Sequence, residues 1–295
     1  MKKTYKSILI LVTLITLLIL YLINSNIIVN AIIDYSILFL TKLFPVSLLF
    51  FIFSTLLIDY GLIELIQYYL KINTSSLYVL LISAISGFPS GAKYTKELLE
   101  KNLIDENTAN KIIMFSHFPN PLFILGSVYL VLKDKEICLK LLLAIIISNI
   151  IIYIFSKDKK STKNNIKKLK VPSNFSNVLS KAVTNAFNTL LLIYGTSLFF
   201  YLVATIITKY ITLNTNSFII LNGFFDLTKG VFSTTLLNNL TLRAIYILIF
   251  ISFGGLSIHM QVKSIITDTS IKYKYFFIGR IIGTILALII FILIL

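Results

Sequence analysis

Charged side chains make up only 13% of this 295-residue chain, against 57% hydrophobic residues, and the mean hydropathy is +0.91. That is too little charge to cover a water-soluble domain of this size. The solvent for most of the chain is therefore a bilayer. Strict apolar–polar alternation is also missing. The apolar runs are continuous, which argues against a membrane barrel and leaves the α-helix to satisfy the backbone in hydrocarbon. Cysteine is almost absent: Cys138 stands alone, which excludes an internal disulfide and a cysteine metal cluster and reads as a small apolar filler. Acidic residues number 12 against 27 basic ones. The resulting charge of +15 does not point to nucleic acid, because the lysines gather at segment ends and in one loop, as cytoplasmic flanks do. Neither G-x-x-x-x-G-K-[ST] nor G-x-S-x-G occurs, so the signatures of an ATP-driven pump and of a hydrolase elbow are both missing. We expect no enzyme activity, no cofactor and no metal.

Lys2, Lys3 and Lys6 precede an uncharged run, Ser7–Ile23. Asn24-Ser25-Asn26 is a poor cleavage site, so the run reads as an uncleaved first helix with its N-terminus in the cytoplasm. Further spans are expected at Leu43–Ile58, with Pro45 in its first turn, and at Ile137–Phe155, Phe187–Ile207, Ala244–Val262 and Phe276–Leu295. Ile27–Leu40 carries Asp34 and reads as a span or an interfacial helix. Leu62–Ile72 reads as an amphipathic surface piece. The loop 157–170 holds seven lysines and one aspartate, the strongest cytoplasmic marker in the chain. It divides the sequence into an N-terminal transmembrane helix (1–26), a first repeat (27–156), the basic loop (157–172) and a second repeat (173–295).

Four apolar stretches are interrupted. Leu77–Ile85 is too short to span and ends in Ser86-Gly87-Phe88-Pro89-Ser90-Gly91-Ala92-Lys93. After a polar helix and an N-cap at Asp105, a second helix stops at Ser116-His117-Phe118-Pro119-Asn120-Pro121. In the second half, Asn222–Gly230 and Phe253–His259 are the corresponding interruptions. Gly87 and Pro119 lie 32 positions apart (119 − 87), as do Gly223 and Gly255 (255 − 223). Paired breaks at matched spacing in each half are the pattern of a repeat-built secondary transporter. The expected fold is thus an all-α polytopic membrane protein made of two structural repeats with re-entrant or broken helices.

A helix that stops inside the membrane leaves backbone groups unsatisfied, which is tolerated only within protein or around a watery cavity. Helix N-termini there attract carboxylates or phosphates. The candidate substrate-binding residues are Ser86, Gly87, Pro89, Ser90, Gly91 and Lys93 in the first break, and Ser116, His117 and Asn120 in the second. The third break offers Asn222, Gly223, Asp226 and Thr228. The fourth offers Gly254, Gly255, Ser257, His259 and Gln261. Ordinary water-exposed turns are the plainer alternative for any single break. Asp226 lies inside a broken segment, where an ionisable group is costly and usually functional; Lys229, three positions on, could pair with it along a helix. His117 and His259 both fall at breaks and suggest a titratable lining. Arg280, four residues into the last run, either snorkels to the interface or belongs to the site. Lys140 and Asp34 read as interfacial.

These same residues carry a family resemblance. Ser86–Lys93 resembles the S-G-[YF]-P-x-G-A-K motif of the YlbJ family of sporulation integral membrane proteins. Asn120-Pro121-Leu122-Phe123-Ile124-Leu125-Gly126 resembles its N-P-L-F-I-x-G stretch, and Gly223–Gly230 its G-x-x-E-[IL]-T-x-G. Phe253–Val262 is similar to F-G-G-L-S-[VI]-H-x-Q-V. The motifs follow in order over nearly the whole chain after the first helix. His117, Phe118, Asp226 in place of the commoner glutamate, and Lys229 depart from the family pattern.

The resemblance implies a nucleoside-recognition, or Gate, fold related to concentrative nucleoside transporters, with re-entrant hairpins. It also implies transport of dipicolinate, a small aromatic dicarboxylate, from the mother cell across the outer forespore membrane. Helix N-termini, Lys93 and the hydroxyls of Ser86, Ser90 and Ser116 would suit such a dianion. The expected partners are the lipid bilayer and this small anionic substrate. A nucleoside carrier and a non-transporting scaffold for spore-cortex assembly are the alternatives.

Overall fold

The computed structural model describes residues 2–62, 65, 69, 75–121, 123–156 and 174–295. The basic loop and most of the expected amphipathic piece Leu62–Ile72 lie outside the described residues. Among the described residues every regular element is helical, as the continuous apolar runs require.

Helix α1 (Lys2–Ile23) and α2 (Ser25–Leu38) lead into a π-helical segment, Phe39–Leu43, and α3 (Phe44–Asp59). Ile27–Leu40 is therefore helical, and with the π segment it makes a candidate span, Ser25–Leu43. Three short helices follow: α4 (Ser75–Ser86), α5 (Ser90–Glu100) and α6 (Glu106–Phe115). Asp105 caps α6, its carboxylate accepting the Thr108 N–H at 2.7 Å, which is why the chain resumes helix there. A second π segment, Phe123–Val128, and α7 (Tyr129–Leu132) precede the long α8 (Lys135–Ser156).

The second half opens with α9 (Phe175–Tyr210), 36 residues long. At 1.5 Å per residue it measures about 54 Å, well beyond a ~30 Å hydrocarbon core. The apolar run Phe187–Ile207 is only its middle; the helix starts earlier, in polar residues. Then come α10 (Thr215–Phe225), α11 (Leu227–Ser233), α12 (Leu240–Phe253), α13 (Gly255–Ile266) and α14 (Tyr273–Ile294). Ala244–Val262 lies within a candidate span, Leu240–Ile266, that Gly254 divides into two helices.

Among the described residues five segments are long and apolar enough to cross a membrane, and in four of them only 22–39% of the most apolar stretch is buried. Their outward faces carry residues such as Ile154, Leu191, Ile285 and Leu293. In water this would be a large apolar patch; in a bilayer it is the lipid contact. The protein interior forms where α14 packs on α8, α6 and α12, and where α9 packs on α3 and α13. The interrupted helices are enclosed between these packed spans.

Candidate functional site

Each break has its own cause. Gly87 adopts φ +80°, and the Phe88–Pro89 peptide is cis. The Ser90 hydroxyl then donates to the Gly87 carbonyl, tying the end of α4 to the start of α5. After α6 the chain runs without helix through Ser116–Asn120. Asp226 is extended at φ −137° and caps α11, its carboxylate accepting the Lys229 backbone N–H at 3.0 Å. Gly254 and Gly255 both take positive φ, +100° and +59°, a conformation that side-chain-bearing residues rarely adopt.

Glycines also allow the breaks to touch in pairs. A methyl group on Gly91 would fall 1.8 Å from the Ser116 carbonyl oxygen, and one on Gly87 2.6 Å from the Asn120 nitrogen. A methyl on Gly255 would fall 2.8 Å from the Gly223 carbonyl oxygen. The first break is therefore packed on the second, and the third on the fourth.

All four breaks contribute to one cavity of about 50 Å³. Ser86, Asn120, Asp226, Thr228, Ser257 and Gln261 line it, joined by the adjacent Phe88, Phe123, Leu227 and Ile258. The opposite wall comes from Tyr35, Phe39, Leu43 and Ser47 and from Leu190, Ile193 and Ser197 of α9. These last residues sit within ordinary apolar runs, where only the isolated polar positions Tyr35, Ser47 and Ser197 could have flagged them. The volume suits a few water molecules. Gln261 donates to the Ser197 hydroxyl at 2.9 Å, while its Oε1 has no partner among the described residues. Asp226, 1% exposed, is the only charged residue in the lining.

The remaining candidates are not part of the lining. Every candidate except Asn120 is buried. Gly87, Pro89, Ser90, Gly91, Gly223, Gly254 and Gly255 shape the backbone. Ser116 lies against Gly91, and Asn222 donates to the Ser233 hydroxyl at 3.1 Å. Lys93 does not line the cavity. Its ammonium lies 4.8 Å from the centre of the Phe51 ring and 5.7 Å from that of Tyr94, a cation–π setting, and has no hydrogen-bond partner among the described residues. The Lys229 ammonium turns away from Asp226 to the Thr205 hydroxyl and, at 3.3 Å, to the Tyr201 carbonyl. The ion pair expected along the helix does not form, because Tyr201 and Thr205 on α9 offer oxygens and an aromatic face.

The histidines differ in environment. His259 Nε2 lies 3.1 Å from the Phe253 carbonyl and Nδ1 2.7 Å from the Tyr273 hydroxyl. A carbonyl only accepts, so Nε2 donates; in the neutral ring Nδ1 then accepts from Tyr273. His117 stacks on Phe88 at 5.1 Å, its Nε2 unpaired among the described residues. Arg280 does not snorkel. It is 1% exposed and donates to the backbone carbonyls of Met114, Ser252 and His117 and to Asn149 Oδ1. Lys140, near the start of α8, pairs with Glu136 at 2.8 Å.

Fold and cavity together define a class: polytopic α-helical membrane proteins whose interrupted helices meet at an internal cavity. Similarity to a known protein adds to this. The chain is 27% identical over 288 residues to the sporulation integral membrane protein YlbJ of Bacillus subtilis (strain 168), covering 81% of this chain and 70% of that protein. This similarity supports placing the chain in the YlbJ family. No family model matches the chain, and no solved structure matches it.

Proposed function

We propose that this protein carries a small solute across a membrane of a sporulating cell, and that the cavity at the four breaks is its substrate site. The observation that carries this reading is the convergence of residues from all four breaks on one cavity, where they set polar groups into a largely apolar lining. Irregular backbone at membrane depth has a use there, because it presents unsatisfied groups to a cargo. The sporulation setting comes from the name of the B. subtilis relative. The cargo best suited to the motif resemblance is dipicolinate, moved out of the mother cell across the outer forespore membrane.

The cavity imposes two conditions on that cargo. Dipicolinate is larger than the few waters the cavity holds, so the walls must part to admit it. Its two carboxylates would also meet Asp226, and like charges at such depth are strongly unfavourable. The N-termini of α11 and α13 offset part of this repulsion; a proton or cation bound with the cargo would remove the rest. A second reading, a nucleoside-like solute, is favoured by the chemistry of the lining: neutral amides, hydroxyls and aromatic rings with no cation among them.

The test is uptake of radiolabelled dipicolinate into proteoliposomes, alongside the dipicolinate content of spores from a strain lacking the protein. Saturable uptake and depleted spores are expected. Absence of uptake together with normal spore dipicolinate would overturn the dipicolinate reading, and competition by uridine or adenosine would establish the second. A scaffold moves nothing in either assay.

A further inference from the structure

The chain contains 27 basic residues, of which only Arg243 and Arg280 are arginine, leaving 25 lysines (27 − 2). Both arginines do the same thing. Arg243 donates to the carbonyls of Val131 at 2.8 Å and Leu237 at 2.5 Å, bridging the end of α7 in the first half to the segment before α12 in the second. Arg280 is the more deeply placed. Its Nη2 donates to Met114 O at 2.7 Å and Asn149 Oδ1 at 3.1 Å; its Nη1 reaches Ser252 O at 3.3 Å and His117 O at 3.5 Å. Met114 is in the last turn of α6, and His117 lies just beyond it, in the second break. Ser252 is in the last turn of α12, at the fourth break.

One guanidinium thus joins the C-terminal ends of two interrupted helices, one from each half of the chain. No salt bridge among the described residues includes it; its acceptors are three backbone carbonyls and one amide. A planar fork of five donors can reach carbonyls spread on two helices, a wider span than the three donors of a compact lysine ammonium cover. The approach is prepared by Gly279, where a methyl group would fall 2.3 Å from the Met114 carbonyl oxygen. Asn149 completes the junction by donating to His117 O at 3.0 Å.

We propose that Arg280 is a positioning residue that locks the second and fourth breaks into one unit, so that cavity walls from both halves open and close together. If either break moved alone, a buried charged donor would lose its acceptor. Movement of the two together with Arg280 keeps the bonds to their carbonyls. Neither the identity of the cargo nor the occurrence of transport enters this proposal.

The experiment uses the full chain in liposomes, with Cys138→Ala removing the native thiol. Single reporter cysteines replace Ser86 in the first half, Ser257 in the second, and the exposed Ser270 as a control outside the site. Labelling by a small methanethiosulfonate reagent is followed with Arg280 intact and with Arg280→Lys. We expect Arg280→Lys to raise the labelling rate at least tenfold at Ser86→Cys and Ser257→Cys and to leave Ser270→Cys unchanged. Wild-type rates at either site reporter, or an equal rise at all three, would overturn the proposal: the first means that Arg280 only stabilises the fold, the second that the whole protein has loosened. If Arg280→Lys does not yield folded protein, Asn149→Leu weakens the same junction. A several-fold rise at both site reporters supports the proposal there, and unchanged rates overturn it.

Discussion

Replacing Gly91 with alanine places a methyl group where the structure has no room for one. The new Cβ would lie 1.8 Å from the Ser116 carbonyl oxygen, 2.6 Å from its hydroxyl oxygen and 2.8 Å from its carbonyl carbon. Real Cβ contacts essentially never fall below 3.0 Å, so helix α5 and the second break must separate by at least 1.2 Å (3.0 − 1.8). The obstacle is backbone, which cannot rotate away as a side-chain tip would. Overpacking of this kind costs about 1–3 kcal/mol. That is roughly one to two decades in the folded-to-unfolded ratio, at 1.4 kcal/mol per decade. Gly195→Ala is the matched control. It lies within α9 with no neighbouring atom within 4 Å of its would-be Cβ, so alanine there should be neutral or stabilising by about 0.5–1 kcal/mol through helix propensity. Thermal unfolding of the detergent-purified protein should therefore show Gly91→Ala melting lower than the parent and Gly195→Ala melting at or above it. Equal midpoints for the two variants would refute the close packing of the first break on the second.

Asp226→Asn retains an oxygen that can cap α11, and Asn caps about as well as Asp. Asp226 is the group that would take up the proton or cation accompanying the cargo, so this variant should insert and melt like the parent while proteoliposome uptake of dipicolinate falls at least tenfold; unimpaired uptake would remove Asp226 from that role. Asp105→Ala removes the cap of α6 and should cost about 1 kcal/mol. The Thr108 hydroxyl and amide hold the Asp105 carboxyl below its usual 3.8. A depressed carboxyl stabilises the fold above its unfolded pKa and ceases to do so as pH falls through its folded value. The stability difference between Asp105→Ala and the parent should thus shrink between pH 5 and pH 2, by an amount limited by the exposure of the group.

The breaks were legible because their causes are local. Gly87, Gly254 and Gly255 can take the positive φ at which a helix ends and Pro89 lacks a backbone donor, and the equal 32-residue spacings could be counted before any coordinates. The cap at Asp105 was visible for the same reason. Long-range partners were not. Lys93 looks like an anion ligand beside Ser90 and Gly91, but the side chain that receives it, Phe51, belongs to a helix some forty residues earlier (93 − 51 = 42). Lys229 looks like a partner for Asp226 three positions away, yet α9 offers it better oxygens. Arg280 could be weighed only by its depth in an apolar run; its acceptors Met114 and Asn149 lie 166 and 131 positions away. Tyr35 and Ser197 join the cavity because α2 and α9 cross beside the breaks, a fact of packing that no local pattern records.

The junction at Arg280 also has a charge balance of its own. A helix C-terminus is equivalent to about half a negative charge. The ends of α6 and α12 together offer about one, opposite the single positive charge of the guanidinium. The assembly is electroneutral without an acid in it. The described groups that meet Arg280 are carbonyls and an amide, which exchange no protons in the physiological range. Any proton sensitivity at this junction would therefore have to enter through neighbouring side chains, the His117 and His259 imidazoles that feel the Arg280 charge, and not through its acceptors.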